Sequence, residues 1–210
     1  MIAYLFWHCA YPTSTVEQYE EALMRFQQRL GQQQPPGFGG SASFRVAALP
    51  WLGNRPGYED WCLLDGSWAL DPLNAFAVAG PVMSAHDAAA AQMEEGHGGL
   101  YALVWGEPVL SERSTAVWLT RPRGIEWRPV LEALRQQLPQ TTLCRRQMVP
   151  GPGRECSLSL CHPVSTSRHQ QPGRRWPSSA CASTTVNLFA LRRHSSASMR
   201  LSLLSDIAAS

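Results

Sequence analysis

The chain has 210 residues, of which 44% are hydrophobic and 16% charged, and its formal net charge is +2. This composition is that of a soluble globular protein with room for one large domain or two small ones. The apolar runs are far shorter than the roughly 18 residues of a membrane span, and no basic segment precedes Ile2, so we expect a cytoplasmic protein without a membrane span or secretion signal.

The first two predicted elements are a strand and an amphipathic helix. Residues 2–11 are apolar on both faces, which is typical of a central strand that is covered on two sides. Ser14 and Glu17 match the S-x-x-E capping box, and the apolar residues after them are spaced by three and four. The pattern predicts a helix that is capped by Ser14 and ends at Gly31.

The next segments predict a hairpin, two helices and a fourth strand. The hairpin strands are predicted over 42–49 and 58–64, and a helix follows from Ser67 to Gly80. Ser84 and Asp87 predict the capped start of a second, shorter helix. The glycines of residues 96–99 are expected to end that helix, so that the fourth strand covers only 100–105.

The remainder of the first 149 residues predicts a strand over 114–120, a helix that Pro139 stops, and a strand over 141–149. Residues 1–106 therefore have the order of a ferredoxin-like βαββαβ unit, and residues 112–149 begin the same order again. We predict an α+β fold in which a ferredoxin-like unit is followed by a partial second βαβ unit, as in a pseudo-duplicated α+β barrel.

The tail, residues 150–210, differs in composition from this body. The body holds 11 arginines against 14 acidic residues, whereas the tail holds 7 arginines against 2 acidic residues and is rich in serine. Three interpretations stay open: a disordered basic extension that binds nucleic acid, a disordered terminus without a partner, or a shifted reading frame. We favour the third, because the tail interrupts the second unit where its pattern should continue, and we do not expect nucleic-acid binding.

Three stretches of the body carry a resemblance to a known family. They are Gly57-Tyr-Glu-Asp-Trp-Cys-Leu-Leu-Asp65, Leu70-Asp-Pro-Leu-Asn74 and Ser84-Ala-His-Asp-Ala-Ala-Ala90. Together with the order of elements, they resemble uncharacterised bacterial members of the dimeric α+β barrel superfamily. The resemblance implies a ferredoxin-like fold and pairing of apolar sheet faces, from which we expect a homodimer. It implies no single activity, because the superfamily includes monooxygenases, haem-degrading enzymes and proteins without an assigned activity.

Two histidines are the candidate catalytic residues. His8 shares a strand face with Tyr4 and Phe6, and we expect that face to line the interior of the barrel. His86 lies in the first turn of the helix predicted after Ser84, where Asp87 makes it one half of a catalytic pair. The competing interpretations are a hydrogen-bonded histidine at a strand end and an ordinary capped helix.

The candidate ligand-binding residues are Tyr4, Tyr58, Trp61 and Tyr101, although aromatic residues more often fill a core. Glu59 and Asp60 could form a carboxylate pair, but adjacent residues of a strand point to opposite faces, which argues against a shared site. No metal site is predicted, and the sequence does not identify a cofactor. The leading hypothesis is a protein that binds a small apolar or aromatic molecule, and the alternative is a cofactor-free or haem-dependent monooxygenase.

Overall fold

A computed structural model of the chain describes residues 1–108, 110, 114–120, 126–147, 157–163 and 183–187. Its elements are β1 (Ile2–Ala10), α1 (Val16–Gln33), β2 (Phe38–Leu49), β3 (Arg55–Leu64), α2 (Leu70–Val78), α3 (Met83–Ala90), β4 (Met93–Trp105), β5 (Ser114–Thr120), α4 (Trp127–Gln137), β6 (Thr142–Arg146), β7 (Ser157–Pro163) and β8 (Ser183–Asn187). The predicted α+β order is confirmed through β6.

Two strands are longer than predicted because glycines lie inside them. β2 begins at Phe38 and β4 at Met93, whereas the sequence predicted starts at residues 42 and 100. A Cβ atom on Gly98 would lie 2.9 Å from the hydroxyl oxygen of Tyr4, and one on Gly96 would collide with the ring of Phe6. These glycines therefore leave room for the aromatic side chains of β1, and do not mark a loop.

The starts of α1 and α3 were predicted one or two residues from their true positions. Thr15, and not Ser14, caps α1. Its hydroxyl accepts a hydrogen bond from the backbone N–H of Gln18, and the side-chain oxygen of Gln18 accepts one from the backbone N–H of Thr15, which completes the capping box. α3 begins at Met83 without a side-chain cap, so Ser84 lies inside the helix. The S-x-x-E pattern misled the prediction because Thr15 and Gln18 satisfy the same rule one residue later.

The first four strands have the ferredoxin-like arrangement. Within the described residues the sheet order is β2-β3-β1-β4-β6-β7-β5-β8, and β1 pairs antiparallel with both β3 and β4. The order β2-β3-β1-β4 is that of a βαββαβ unit, with the helices on one side of the sheet. This confirms the predicted fold of the first unit.

The last four strands repeat this order in part. β6-β7-β5-β8 corresponds strand for strand to β2-β3-β1-β4, but β8 runs parallel to β5, whereas β4 runs antiparallel to β1. The second set of strands therefore lacks one feature of a complete ferredoxin-like unit. β7 and β8 belong to residues 150–210, and the rest of that tail lies outside the described residues, so its three interpretations stay open.

The two faces of β1 are buried in different environments. Ala3, Leu5 and Trp7 point to the inner face of the sheet, which curls so that β2 and β8 contact each other. On that face they join a buried cluster whose other members include Val46, Leu49, Trp61, Tyr101, Trp118 and Cys144. Ile2, Tyr4, Phe6 and His8 point to the opposite face, which α1, α2 and α3 cover.

This arrangement corrects the expectation that His8 lines the barrel interior. The residues of β1 are apolar on both faces, so alternation alone did not distinguish the inner face from the helix-covered face. Cys9, Cys62 and Cys144 are buried free thiols. No helix in the described part of the chain is long and apolar enough to cross a membrane.

Candidate functional site

A cavity of about 490 Å³ lies between the helix-covered face of the sheet and helices α1 to α3. Most of its wall is apolar, with side chains that include Phe6, Leu23, Phe26, Leu30, Leu70, Leu73, Ala77, Val78, Ala89 and Met93. The polar wall residues are Tyr4, His8, Tyr19, Asp60, Cys62, Asp71, Asn74 and His86. A concave apolar site of this size with few polar groups is typical of a small-molecule binding site.

The buried polar end of the cavity is formed by His8, Tyr19 and Asp60. The side chain of His8 is 1% exposed, and its Nδ1 lies 2.6 Å from the hydroxyl oxygen of Tyr19. On the other side of the ring, Nε2 lies 3.3 Å from Oδ2 of Asp60. The amphipathic pattern of α1 places Tyr19 over β1. The register between β1 and β3 pairs Phe6 with Asp60, and this brings Asp60 next to His8 on the same face of the sheet. Sheet and helix together therefore assemble this site.

The hydrogen-bond pattern assigns the protons in this group. Burial and the charge of Asp60 raise the pKa of Tyr19 above its ordinary value, so its hydroxyl stays protonated and donates to Nδ1 of His8. The carboxylate of Asp60 beside Nε2 favours the proton on that nitrogen. His8 is thus assigned as the Nε2–H tautomer, which accepts from Tyr19 and faces Asp60.

Two polar atoms at this end have no hydrogen-bond partner among the described residues. They are Nε2 of His8, whose contact with Asp60 lacks hydrogen-bond geometry, and the other carboxylate oxygen of Asp60, Oδ1. Both atoms are buried, although the side chains that carry them line the cavity. A buried polar atom without a partner lowers the stability of the folded state by roughly 1–3 kcal/mol. Such atoms on side chains of a cavity wall suggest that a bound molecule or water forms the missing hydrogen bonds.

A second layer holds the ring of His8 in place. The ring of Tyr58 stacks on His8 with a centroid distance of 5.6 Å, and Tyr19 meets it edge-on. The hydroxyl of Tyr58 donates to Oε1 of Glu20, which also pairs with Arg45. Tyr58, a predicted ligand-binding residue, therefore packs behind the histidine and is absent from the cavity wall.

His86 and Asp87 lie at a different part of the cavity. His86 is in the cavity wall on α3, with one third of its side chain exposed, and its ring meets Phe26 edge-on at 5.8 Å. Its Nδ1 lies 3.0 Å from Oδ1 of Asp87, whose side chain is largely exposed. The predicted pair is therefore formed, with only the histidine in the wall.

Trp61 and Tyr101, the other two predicted ligand-binding residues, lie on the inner face of the sheet and away from the cavity. Glu59 is on that face too, where it accepts hydrogen bonds from the indole N–H groups of Trp7 (2.8 Å) and Trp61 (2.7 Å). Asp60 points to the helix-covered face, so the expected divergence of the two carboxylates is observed.

Of the residues that the sequence predicted for a site, His8 and Tyr4 lie in the cavity wall, but the sequence did not identify the partners that surround them. The sequence predicted Tyr19 only as one of the apolar residues spaced by three and four along α1. It predicted Asp60 only as half of a carboxylate pair with Glu59. The available signal was a tyrosine on the buried stripe of a helix next to a strand that carries a histidine. Within the described residues no group of three potential metal ligands is present.

Comparison with known proteins gives matches only among solved structures. No family model matches the chain, and no curated protein does. A cofactor-independent oxygenase from Streptomyces nogalater, SnoaB, is 14% identical over 51% of this chain and 97% of its own, with a TM-score of 0.39.

Two further solved structures are described as dimeric ferredoxin-like proteins of unknown function. The one from Thermobifida fusca is 16% identical over 49% of this chain and 90% of its own, with a TM-score of 0.38. The one from Bacteroides fragilis is 12% identical over 48% of this chain and 93% of its own, with a TM-score of 0.36. Each match thus extends over about half of the present chain.

Proposed function

We propose that the protein binds a small apolar or aromatic molecule in the cavity between the sheet and helices α1 to α3. The observation that carries this proposal is the cavity itself, about 490 Å³ in volume and lined mainly by aliphatic and aromatic side chains. A space of that size within a close-packed protein is costly to maintain, because the atoms in its wall lose packing contacts. A bound apolar molecule restores those contacts.

Filling the cavity from within should abolish this binding. Ala77 of α2 is buried in the cavity wall, so the larger ring in the Ala77→Phe variant would occupy the ligand's space. We expect the variant to bind the neutral fluorescent probe N-phenyl-1-naphthylamine at least tenfold more weakly than the native chain, as measured by fluorescence titration.

The matched control is Ala79→Phe, because Ala79 is exposed just after α2 and does not line the cavity. This control should bind the probe like the native protein, and circular dichroism should show that both variants are folded. Failure of the native chain to bind the probe, or equal binding by a folded Ala77→Phe variant, would contradict the proposal.

The alternative function is that of a cofactor-free monooxygenase, and the Tyr19–His8–Asp60 group favours it. In this reaction type the substrate first loses a proton. Tyr19 can take a proton from a bound molecule while it passes its own to Nδ1 of His8, and Asp60 stabilises the imidazolium. The raised pKa of Tyr19 fits a hydroxyl that exchanges protons without remaining ionised.

This alternative predicts that oxygen uptake with a hydroxyaromatic substrate depends on Tyr19. The Tyr19→Phe variant keeps the ring and removes the hydroxyl, so it should lower the rate by roughly 10²-fold or more. The control is Tyr11→Phe, since Tyr11 is exposed and away from the cavity. An unchanged rate in Tyr19→Phe, or no oxygen uptake by the native chain with any substrate of this class, would exclude the alternative.

The haem-dependent form of the alternative would use His86. Its Nδ1 is oriented by Asp87, which leaves Nε2 as the nitrogen for a metal, and this is the usual arrangement of a ligating histidine. His8 fits the role less well, since its Nδ1 accepts a hydrogen bond from Tyr19 and its Nε2 carries the proton in the assigned tautomer. A haem held there would supply the activation of oxygen, but its two propionates fit this wall poorly, because the described wall residues include Asp60 and Asp71 and no arginine.

The homodimer expected from the sequence stays a prediction. The inner face of the sheet, which was expected to pair between copies, packs within one chain against Trp118 of β5.

A further inference from the structure

The polar end of the cavity has a distinctive combination of charges. Two carboxylates, those of Asp60 and Asp71, belong to the wall, and the described residues that line it include no arginine, while the chain contains no lysine. Asp60 is 8% exposed, so its charge is poorly screened by water. An anionic ligand would therefore be placed beside buried negative charge, with no arginine or lysine among the described wall residues to offset it.

The unpartnered atoms at this end add a hydrogen-bond requirement. Among the described residues, Nε2 of His8, in the tautomer assigned above, is a donor without an acceptor, and Oδ1 of Asp60 is an acceptor without a donor. The two side chains are neighbours, with Nε2 only 3.3 Å from the other oxygen of the same carboxylate. A ligand that satisfies both atoms needs one group that donates and accepts at the same position.

Of the common charged and polar groups, a hydroxyl meets this requirement. It donates one hydrogen bond and accepts others, whereas an ammonium only donates and a carboxylate only accepts. An ammonium would leave Nε2 of His8 unpaired, and a carboxylate would leave Oδ1 of Asp60 unpaired while adding a second negative charge. Sites built to pair with a hydroxyl discriminate strongly against analogues that leave buried groups unpaired.

We propose that the cavity selects an uncharged molecule with an apolar or aromatic body and a hydroxyl head, and that His8 and Asp60 bind the head. The hydroxyl donates to Oδ1 of Asp60 and accepts from Nε2–H of His8, while the body lies among apolar residues such as Phe6, Leu23 and Phe26. This inference rests on the proposed function, because it assumes that the cavity binds a small molecule.

The test uses four probes with one ring system and different heads: naphthalene, 2-naphthol, 2-naphthoate and protonated 2-naphthylmethylamine. Their dissociation constants for the full chain are measured at pH 7 by fluorescence titration. We expect 2-naphthol to bind at least tenfold more tightly than naphthalene, since two hydrogen bonds to charged or buried groups are gained. We expect 2-naphthoate to bind at least a hundredfold more weakly than 2-naphthol.

The Asp60→Asn variant separates charge from shape. It keeps the size of the side chain and removes the negative charge, so discrimination between 2-naphthol and 2-naphthoate should fall below tenfold. The matched control is Asp65→Asn. Asp65 is exposed, directly follows β3 and does not line the cavity, so this variant should discriminate between 2-naphthol and 2-naphthoate like the native chain. If Asp60→Asn does not fold, the four-probe series on the native chain decides the question alone.

The outcomes distinguish this inference from the proposed function. If no probe binds, naphthalene included, the cavity is not a binding site and the proposed function fails. If naphthalene binds and the hydroxyl adds nothing, or if the acid or the amine binds as tightly as 2-naphthol, the proposed function stands and the selection of a hydroxyl is wrong.

Discussion

Replacing Trp118 by alanine is expected to lower the free energy of unfolding by about 3–5 kcal/mol, the cost of removing a large buried aromatic side chain and leaving a cavity. Trp118 lies on β5 and is 2% exposed. Its ring meets Trp7 at a centroid distance of 5.1 Å, Trp51 at 5.4 Å and Tyr101 at 5.7 Å. It therefore joins the second set of strands to the inner face of the first unit.

Urea unfolding of the native chain and the variant measures this loss. The matched control is Trp68→Ala, because the side chain of Trp68 is 58% exposed and its removal should change stability by no more than about 0.5 kcal/mol. A loss of similar size in the two variants would mean that Trp118 is not packed against the first unit. It would also contradict the position of β5 in the sheet.

The second large effect concerns Glu59, the buried carboxyl between Trp7 and Trp61. Burial, helped by the charge of Asp60, raises the pKa of Glu59 from its ordinary 4.5 to about 7, against the opposing effect of the two indole donors. The folded state therefore holds the proton of Glu59 more tightly than the unfolded state does. Its stabilising contribution is complete below pH 4.5, and it is lost as the pH rises to about 7.

The expected size of this loss is about 3 kcal/mol, which corresponds to the difference between a pKa of 4.5 and one of about 7. The Glu59→Gln variant cannot titrate, so its unfolding free energy should lack this decline between pH 4.5 and pH 8. The variant will also be less stable than the native chain at acid pH. Each carboxyl oxygen of Glu59 accepts a hydrogen bond from an indole N–H, whereas the amide nitrogen of glutamine would place a second donor opposite one of those indoles.

Urea unfolding at several pH values checks this prediction, with Glu21→Gln as the control. Glu21 is an exposed residue of α1 that pairs with Arg25, so its removal should leave the pH dependence nearly unchanged. Parallel stability curves for the native chain and Glu59→Gln would show that Glu59 titrates near its ordinary pKa, and the buried carboxyl would then need a partner other than the two indoles.

Several features of the site were predictable because they follow from local geometry. The period of two along a strand placed Tyr4, Phe6 and His8 on one face, and it sent Glu59 and Asp60 to opposite faces. Both predictions agree with the structure. The spacing of apolar residues likewise predicted α1 and its buried side, from which Tyr19 reaches the sheet.

Other features depended on contacts between residues far apart in the sequence. Trp61 and Tyr101 were predicted to bind a ligand, but aromatic residues occur in cores as well as in pockets. Only the packing against Trp7 and Trp118 assigned them to the inner face. Asp60 was not expected to meet His8, because their contact depends on the register of β1 against β3.

The sequence by itself determined the order of elements through β6, the ferredoxin-like arrangement of the first unit and the composition of each strand face, since these depend on periodicity and on residues close along the chain. Only the tertiary structure decided which face of β1 the helices cover, and therefore where His8 lies. Both faces of that strand are apolar, so the choice was made by the strands and helices that pack on each side, the second set of strands on the inner face and α1 to α3 over the cavity.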